Sequence, residues 1–183
     1  MTEEKQQKIA VVFVEDNYEC LELHYPRLNL IQNGYKVHVV GPEKNKTYKS
    51  KEGYWAISGS EGAYDNLHPR DISVIIIPGG FCTDRLRRYP HICEFVKEAW
   101  NDGNGAVIGA ICHAHWLAIS AKILKGRRVT CFCAIKDDCE NAGATVVMDE
   151  RCVVDGRLVT AQTPEDLPAF MTKILEVAAN VSK

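Results

Sequence analysis

Ala106-Val107-Ile108-Gly109-Ala110-Ile111-Cys112-His113-Ala114 runs from a strand into a helix with no loop between them. Ala106–Ile111 is an unbroken apolar run, the pattern of a strand buried on both faces of a parallel sheet. A helical pattern follows at once and continues through Leu124. So sharp a turn needs small residues two before and two after the turning residue. Ala110 and Ala114 meet that demand around Cys112. The geometry presents the Cys112 sulfur at a helix N-terminus, where the dipole favours thiolate and predicts a pKa below the usual value of about 8.5. His113 follows directly and is the candidate base.

Outward from this elbow, buried-strand runs alternate with amphipathic segments. Ile9–Val14, Tyr35–Val40 and Val74–Ile77 read as strands. Asp16 or Asn17 caps a helix with Leu21, Tyr25 and Leu28 on one stripe, stopped by Gly34. Pro90 opens a helix carrying Ile92, Phe95, Val96, Ala99 and Trp100 on one face, and Gly103 ends it. Arg151–Val154 and Leu158–Ala161, joined at Asp155-Gly156, read as a hairpin. In Thr163-Pro164-Glu165-Asp166, Thr caps the last helix, Pro takes its first position and Asp166 completes a capping box. The alternation predicts a doubly wound α/β sandwich with a mostly parallel sheet. Ligands in such sheets sit beyond the carboxyl ends of the strands, here after Val14, Ile77 and Ile111.

The chain has 183 residues, 46% hydrophobic and 25% charged, so one folded domain over 1–183 is expected, and disorder, collagen-like repeats and coiled coil are excluded. Lys and Arg total 22 against 24 Asp and Glu, a net charge of -2 that gives no reason to expect nucleic acid or an anionic membrane as partner. No apolar stretch approaches the roughly 20 residues that span a bilayer. The start, MTEEKQQKIAVVFVED, lacks a signal-peptide pattern, so the eight cysteines are expected as free thiols in a reducing cytoplasm. Cys131-x-Cys133 with Cys139 beyond has no zinc-like spacing, and His113 and His115 diverge at an elbow, so no metal is expected. Gly103-Asn104-Gly105 precedes a strand and is not a dinucleotide loop.

Two more segments lie at strand ends. Pro78-Gly79-Gly80 is either a plain turn or a place where backbone N–H groups approach a ligand and form an oxyanion hole with the His113 amide. Glu15, Asp16, Glu19 and Glu22 cluster after the first strand. Most are solvated helix-start acids, and one held beside a thiol would tune it. Spacing alone does not choose among them.

The sequence resembles the DJ-1/PfpI (ThiJ/PfpI) superfamily. The matching pieces are Glu19…Tyr25-Pro26, Lys49-Ser50-Lys51-Glu52-Gly53-Tyr54, Ile77-Pro78-Gly79-Gly80, Ala110-Ile111-Cys112-His113-Ala114, Leu124-Lys125-Gly126-Arg127, Ile135-Lys136-Asp137-Asp138 and Thr163-Pro164-Glu165-Asp166-Leu167-Pro168-Ala169-Phe170. The resemblance is nearest to the PfpI-type branch of intracellular proteases and bacterial deglycases. It implies a flavodoxin-like, class I glutamine amidotransferase-like three-layer sandwich. It implies a nucleophile at Cys112 with His113 beside it, and oxyanion amides at Gly80 and His113. The acid seven residues before the proline falls on Glu19 and donates a hydrogen bond to the sulfur. A triad acid, Glu in PfpI-type relatives, falls on Asp84 and reaches in from a neighbouring subunit of a dimer or hexamer.

The implied activity is a cofactor-free, cysteine-dependent hydrolase acting on methylglyoxal, glyoxal or early glycation adducts. The alternatives are a cysteine peptidase and a non-enzymatic redox sensor. Three departures stand out: Ala114-His115 where many relatives have Gly or Ala-Pro, Cys20 after the conserved Glu, and Ala161-Gln162 where Ser-Arg is common. Cys82 beside the Pro-Gly-Gly turn is a further candidate, as a redox partner of Cys112.

Overall fold

The alternating pattern becomes, in chain order, β1 (Ile9–Phe13), α1 (Cys20–Gln32), β2 (Lys36–Val40), β3 (Thr47–Lys49), β4 (Trp55–Ile57), β5 (Ile72–Ile77), α2 (Cys82–Leu86), α3 (Pro90–Asn101) and β6 (Val107–Ile111). The second half holds α4 (His115–Ser120), β7 (Arg128–Val129), α5 (Lys136–Asn141), β8 (Thr145–Val146), β9 (Cys152–Asp155), β10 (Leu158–Ala161) and α6 (Leu167–Val181). This computed structural model describes residues 8–59, 67–102 and 105–181. Gly103 and the 103–104 part of the Gly-Asn-Gly segment lie outside the described residues, as does the chain start through residue 7.

The main sheet has the order β2-β1-β5-β6-β10-β9. Every pairing is parallel except β10 with β9, the expected hairpin. The central strands read as continuous apolar runs because both faces are covered. Val11, Val12, Ile75, Ile76, Ile108 and Ala110 have no exposure. Helices α1 and α6 pack on each other and on the sheet, while α3 and α4 pack on each other. Phe13 meets Phe95 of α3 edge-on, with ring centroids 6.1 Å apart. The flavodoxin-like α/β architecture is therefore as expected.

The capping box also forms: Asp166 Oδ2 accepts the Thr163 N–H at 2.9 Å, and Pro164 takes the first position. Asp166 additionally binds Arg151 Nε at 2.8 Å, pinning the start of the hairpin to the last helix. Among the described residues no helix is long and apolar enough to cross a membrane.

Two local expectations are corrected. Helix α4 stops at Ser120 rather than running to Leu124, because Lys122 takes φ +60 and ends the helical repeat. The stripe Leu21, Tyr25 and Leu28 faces outward, with Leu21 56% exposed. The buried face of α1 is Glu22, Leu23, Pro26 and Leu30. A carboxyl inside an apolar face misleads hydrophobic periodicity, and this one rotates the helix reading onto the wrong stripe.

Candidate active site

Cys112 sits at φ +59, in the left-handed region that side chains other than glycine rarely adopt. The strain follows from the loop-free passage of β6 into a single 3-10 turn, Cys112–Ala114, and then α4. The residue is 8% exposed. Its Sγ lies 3.2 Å from His113 Nδ1. The backbone N–H groups of Gly80 and His113 lie against the Cys112 sulfur and pull its pKa down. The two amides expected to cradle an oxyanion thus converge on the sulfur.

The Pro-Gly-Gly turn earns its glycines here. A Cβ on Gly80, whose φ is +73, would fall 2.4 Å from the Asn17 carbonyl oxygen. A Cβ on Gly79 would fall 2.6 Å from Glu22 Oε2 and 2.7 Å from Cys112 Cβ. Gly79 is therefore a bare strip of backbone with Glu22 and Cys112 pressed against it. The turn is stitched to the segment after β1: Glu19 N–H donates to Gly79 O at 3.1 Å, and Phe81 N–H donates to Asn17 O at 2.9 Å.

The acid beside the thiol is Glu22, and this corrects the assignment to Glu19. Glu19 is the N-cap of α1, and its Oε2 accepts the Glu22 N–H at 2.7 Å. Glu22 lies one turn further along and has no exposure. Its Oε2 accepts the Gly79 N–H at 2.6 Å, and its carboxyl interacts electrostatically with the Cys112 side chain. Burial first, then the charge of Glu19, pushes the Glu22 carboxyl up to about 8. Glu22 occupies the i, i+4, i+8 row of Pro26 and Leu30, both buried, and that spacing was the available signal.

The expected acidic thiol is also corrected. Burial first, then the charge of Glu22, pushes Cys112 up to about 12, against the pull of the two amides. The interaction between thiol and carboxyl pulls Glu22 partly back down and pushes Cys112 further up. Burial and then Lys51 lower His113, so its imidazole is the neutral proton acceptor beside the sulfur.

Three rings enclose that imidazole. Phe132 stacks on it with centroids 4.8 Å apart, Trp116 stands edge-on at 5.1 Å, and Phe81 is tilted at 5.6 Å. Trp116 is held in turn by Asp138 Oδ2, which accepts its Nε1–H at 2.9 Å. None of these rings was singled out from the sequence, because no local pattern marks residues that meet only across three loops.

Asp84 is not brought to His113 within the chain. Its side chain is 45% exposed and pairs with Arg88 one helical turn on. The residue of α2 that does reach the elbow is Thr83, whose hydroxyl donates to His113 O at 2.9 Å. Cys82 is fully buried and turns its sulfur to the carbonyls of Pro78 and Gly79, at 3.5 and 3.2 Å. Gln162, at the position where an arginine would meet an anion, is a buried structural amide. Its Nε2 donates to Thr130 Oγ1, Met148 O and Glu150 O at 2.8 to 3.0 Å. All eight cysteines are free. Among the described residues no group of three His, Cys, Asp or Glu side chains could hold a metal ion.

A sequence model of the DJ-1/PfpI family matches residues 7–177. The chain belongs to the DJ-1/PfpI family. Its DJ-1/PfpI relatives include General stress protein 18 of Bacillus subtilis, 38% identical over 89% of this chain and 92% of that protein. Protein/nucleic acid deglycase 2 of Escherichia coli is 33% identical over 93% and 96%. Deglycase PfpI of Pyrococcus furiosus is 31% identical over 92% and 99%. A two-domain protein of Anabaena variabilis with DJ-1/ThiJ/PfpI-like and ferritin-like domains superposes at a TM-score of 0.87 and 35% identity, over 93% of this chain and 48% of that one. Drosophila melanogaster DJ-1beta shares the fold at a TM-score of 0.83 and 22% identity, covering 96% of each chain.

Proposed function

We propose that the chain is a cysteine-dependent, cofactor-free deglycase or glyoxalase-type hydrolase. Its substrates are methylglyoxal, glyoxal or the early adducts they form on proteins. The observation that carries the proposal is the Cys112 sulfur at a strained elbow, touched together by Glu22, His113 Nδ1 and the amides of Gly80 and His113. The deglycase names of several relatives support it.

In the free chain the thiol is protonated. Attack on the aldehyde carbon therefore begins with the Cys112 proton passing to His113 Nδ1 as the C–S bond forms. The carbonyl oxygen becomes an alkoxide in the reach of the two amides and takes the proton back from His113, giving a hemithioacetal. In chains whose Glu22 is ionised, the carboxylate takes the hydrogen on that carbon as a proton and returns it to the neighbouring carbon, while the hemithioacetal O–H proton passes to the ketone oxygen. The aldehyde carbon is oxidised to a thioester while the neighbouring ketone is reduced to an alcohol. Water hydrolyses the thioester, so methylglyoxal plus water gives lactate, the thiol is restored, and no external oxidant or reductant is used.

The test is lactate formation from methylglyoxal, without glutathione or added metal, by the wild type and by Cys112→Ser. Lactate from the wild type alone supports the proposal. No lactate from either, with peroxide adding mass at Cys112, would replace it with a redox-sensing thiol. Cleavage of a peptide that depends on Cys112 would replace it with a peptidase.

A further inference from the structure

His115 is the first residue of α4 and is fully buried. Its Nδ1 lies 3.1 Å from the carbonyl oxygen of Cys112. The same oxygen also accepts the Phe132 N–H at 3.5 Å. The ring also lies against the Thr130 backbone, although Nε2 makes no well-formed hydrogen bond. Burial lowers His115 to about 4, so the ring is neutral and carries one N–H. The contact with well-formed geometry is Nδ1 to the Cys112 carbonyl, which can only accept, so the N–H is assigned to Nδ1 and the lone pair to Nε2. An apolar side chain would avoid burying that lone pair without a partner. What a histidine supplies there is the Nδ1 bond to the elbow.

We infer that His115 is the positioning residue of the nucleophile: its Nδ1–H holds the Cys112 carbonyl so that Cys112 stays in its left-handed conformation, with the sulfur on the amides of Gly80 and His113. The carbonyl is the fixed end of the strained residue. If it rotates, the φ of Cys112 relaxes toward ordinary values, and the sulfur leaves Gly80, Glu22 and His113 together. Phe132 shares the oxygen, so the same anchor registers the ring stacked on His113. The inference rests on the proposed role of Cys112, but its test needs no substrate.

The test compares His115→Leu, His115→Asn and His115→Gln with the wild type. Asparagine places an N–H near Nδ1, glutamine near Nε2, and leucine supplies neither. Iodoacetamide alkylation of Cys112, located by peptide mass, is followed from pH 6 to about 12. Far-ultraviolet circular dichroism checks the fold of each variant. In leucine and glutamine variants the alkylation midpoint should move down toward the ordinary thiol range, since the burial and the Glu22 charge that hold it up outweigh the amides that pull it down, and the rate at neutral pH should rise about tenfold. The asparagine variant should remain within about twofold of the wild type. An unchanged or raised midpoint in folded glutamine or leucine variants overturns the inference. So does an equal change in all three. If leucine does not fold, glutamine against asparagine decides alone. Should the wild type make no lactate while this ordering holds, the proposed function fails and the positioning role stands.

Discussion

Cys112 and Glu22 reach each other from two turns built differently. After β6, backbone conformation places the sulfur: one left-handed residue between strand and helix aims it. After β1, packing places the carboxyl. Glu22 is aimed by the rotation of α1, which the Glu19 cap and the burial of Leu23, Pro26 and Leu30 set together. The difference teaches where each half of the pair is fragile. The sulfur depends on a few backbone atoms of Asn17, Gly79 and Gly80, the carboxyl on a whole helix face.

Glu22→Gln bears hardest on that contrast. Lactate turnover should fall about 10²- to 10³-fold, the size of a lost proton-transfer group. The pH dependence of stability separates this from misfolding. Glu22 holds its proton more tightly in the folded chain, so its contribution is fully present below about pH 4.5 and is lost as the pH rises through about 8. Urea titrations of Glu22→Gln should show a flatter stability profile across that window, with the variant gaining on the wild type toward high pH. A profile parallel to the wild type would mean that Glu22 is not the group held neutral.

Gly80→Ala attacks the backbone-set side. The added Cβ meets the Asn17 carbonyl at 2.4 Å with φ at +73, and neither atom is the end of a flexible side chain. Stability should drop by about 2–3 kcal/mol, and Cys112 should lose its alkylation profile while α1 stays helical.

Glu19→Ala touches only the cap. A loss of about 1 kcal/mol in thermal or urea unfolding is expected, with turnover kept within a few-fold. A collapse of turnover matching that of Glu22→Gln would restore Glu19 as the working acid.

The smallest effect is expected at Asp84, whose pairing with Arg88 is exposed. Asp84→Asn should change stability by at most about 0.5 kcal/mol. A tenfold fall in turnover that disappears when the sample is diluted to monomer would show that a second copy supplies this carboxyl across an interface.

The elbow and the strand ends were legible because each is encoded within a few residues: an apolar run, small flanking residues, glycines after a strand. The hairpin and the capping box at Thr163 were legible for the same reason. Glu22 was not, because a buried carboxyl reads as a break in an apolar stripe. Nor were Phe81, Trp116 and Phe132, which converge on His113 only after α2, α4 and the segment after β7 are in place. The acidity expected of Cys112 failed for a related reason. A helix terminus is visible in sequence, but the carboxyl and the burial that outweigh it belong to other parts of the chain.

The edge-on indole beside His113 has an optical consequence. Of the three tryptophans, Trp55 lies on exposed β4, and Trp100 is flanked by the guanidinium groups of Arg127 and Arg157 at 5.4 and 4.9 Å. Only Trp116 stands against the His113 imidazole, the proposed acceptor of the thiol proton. Its emission is therefore a built-in gauge of the charge on His113. A stopped-flow fluorimeter could follow adduct formation at Cys112 in a chain that carries no dye, with Trp55→Phe and Trp100→Phe removing the background light.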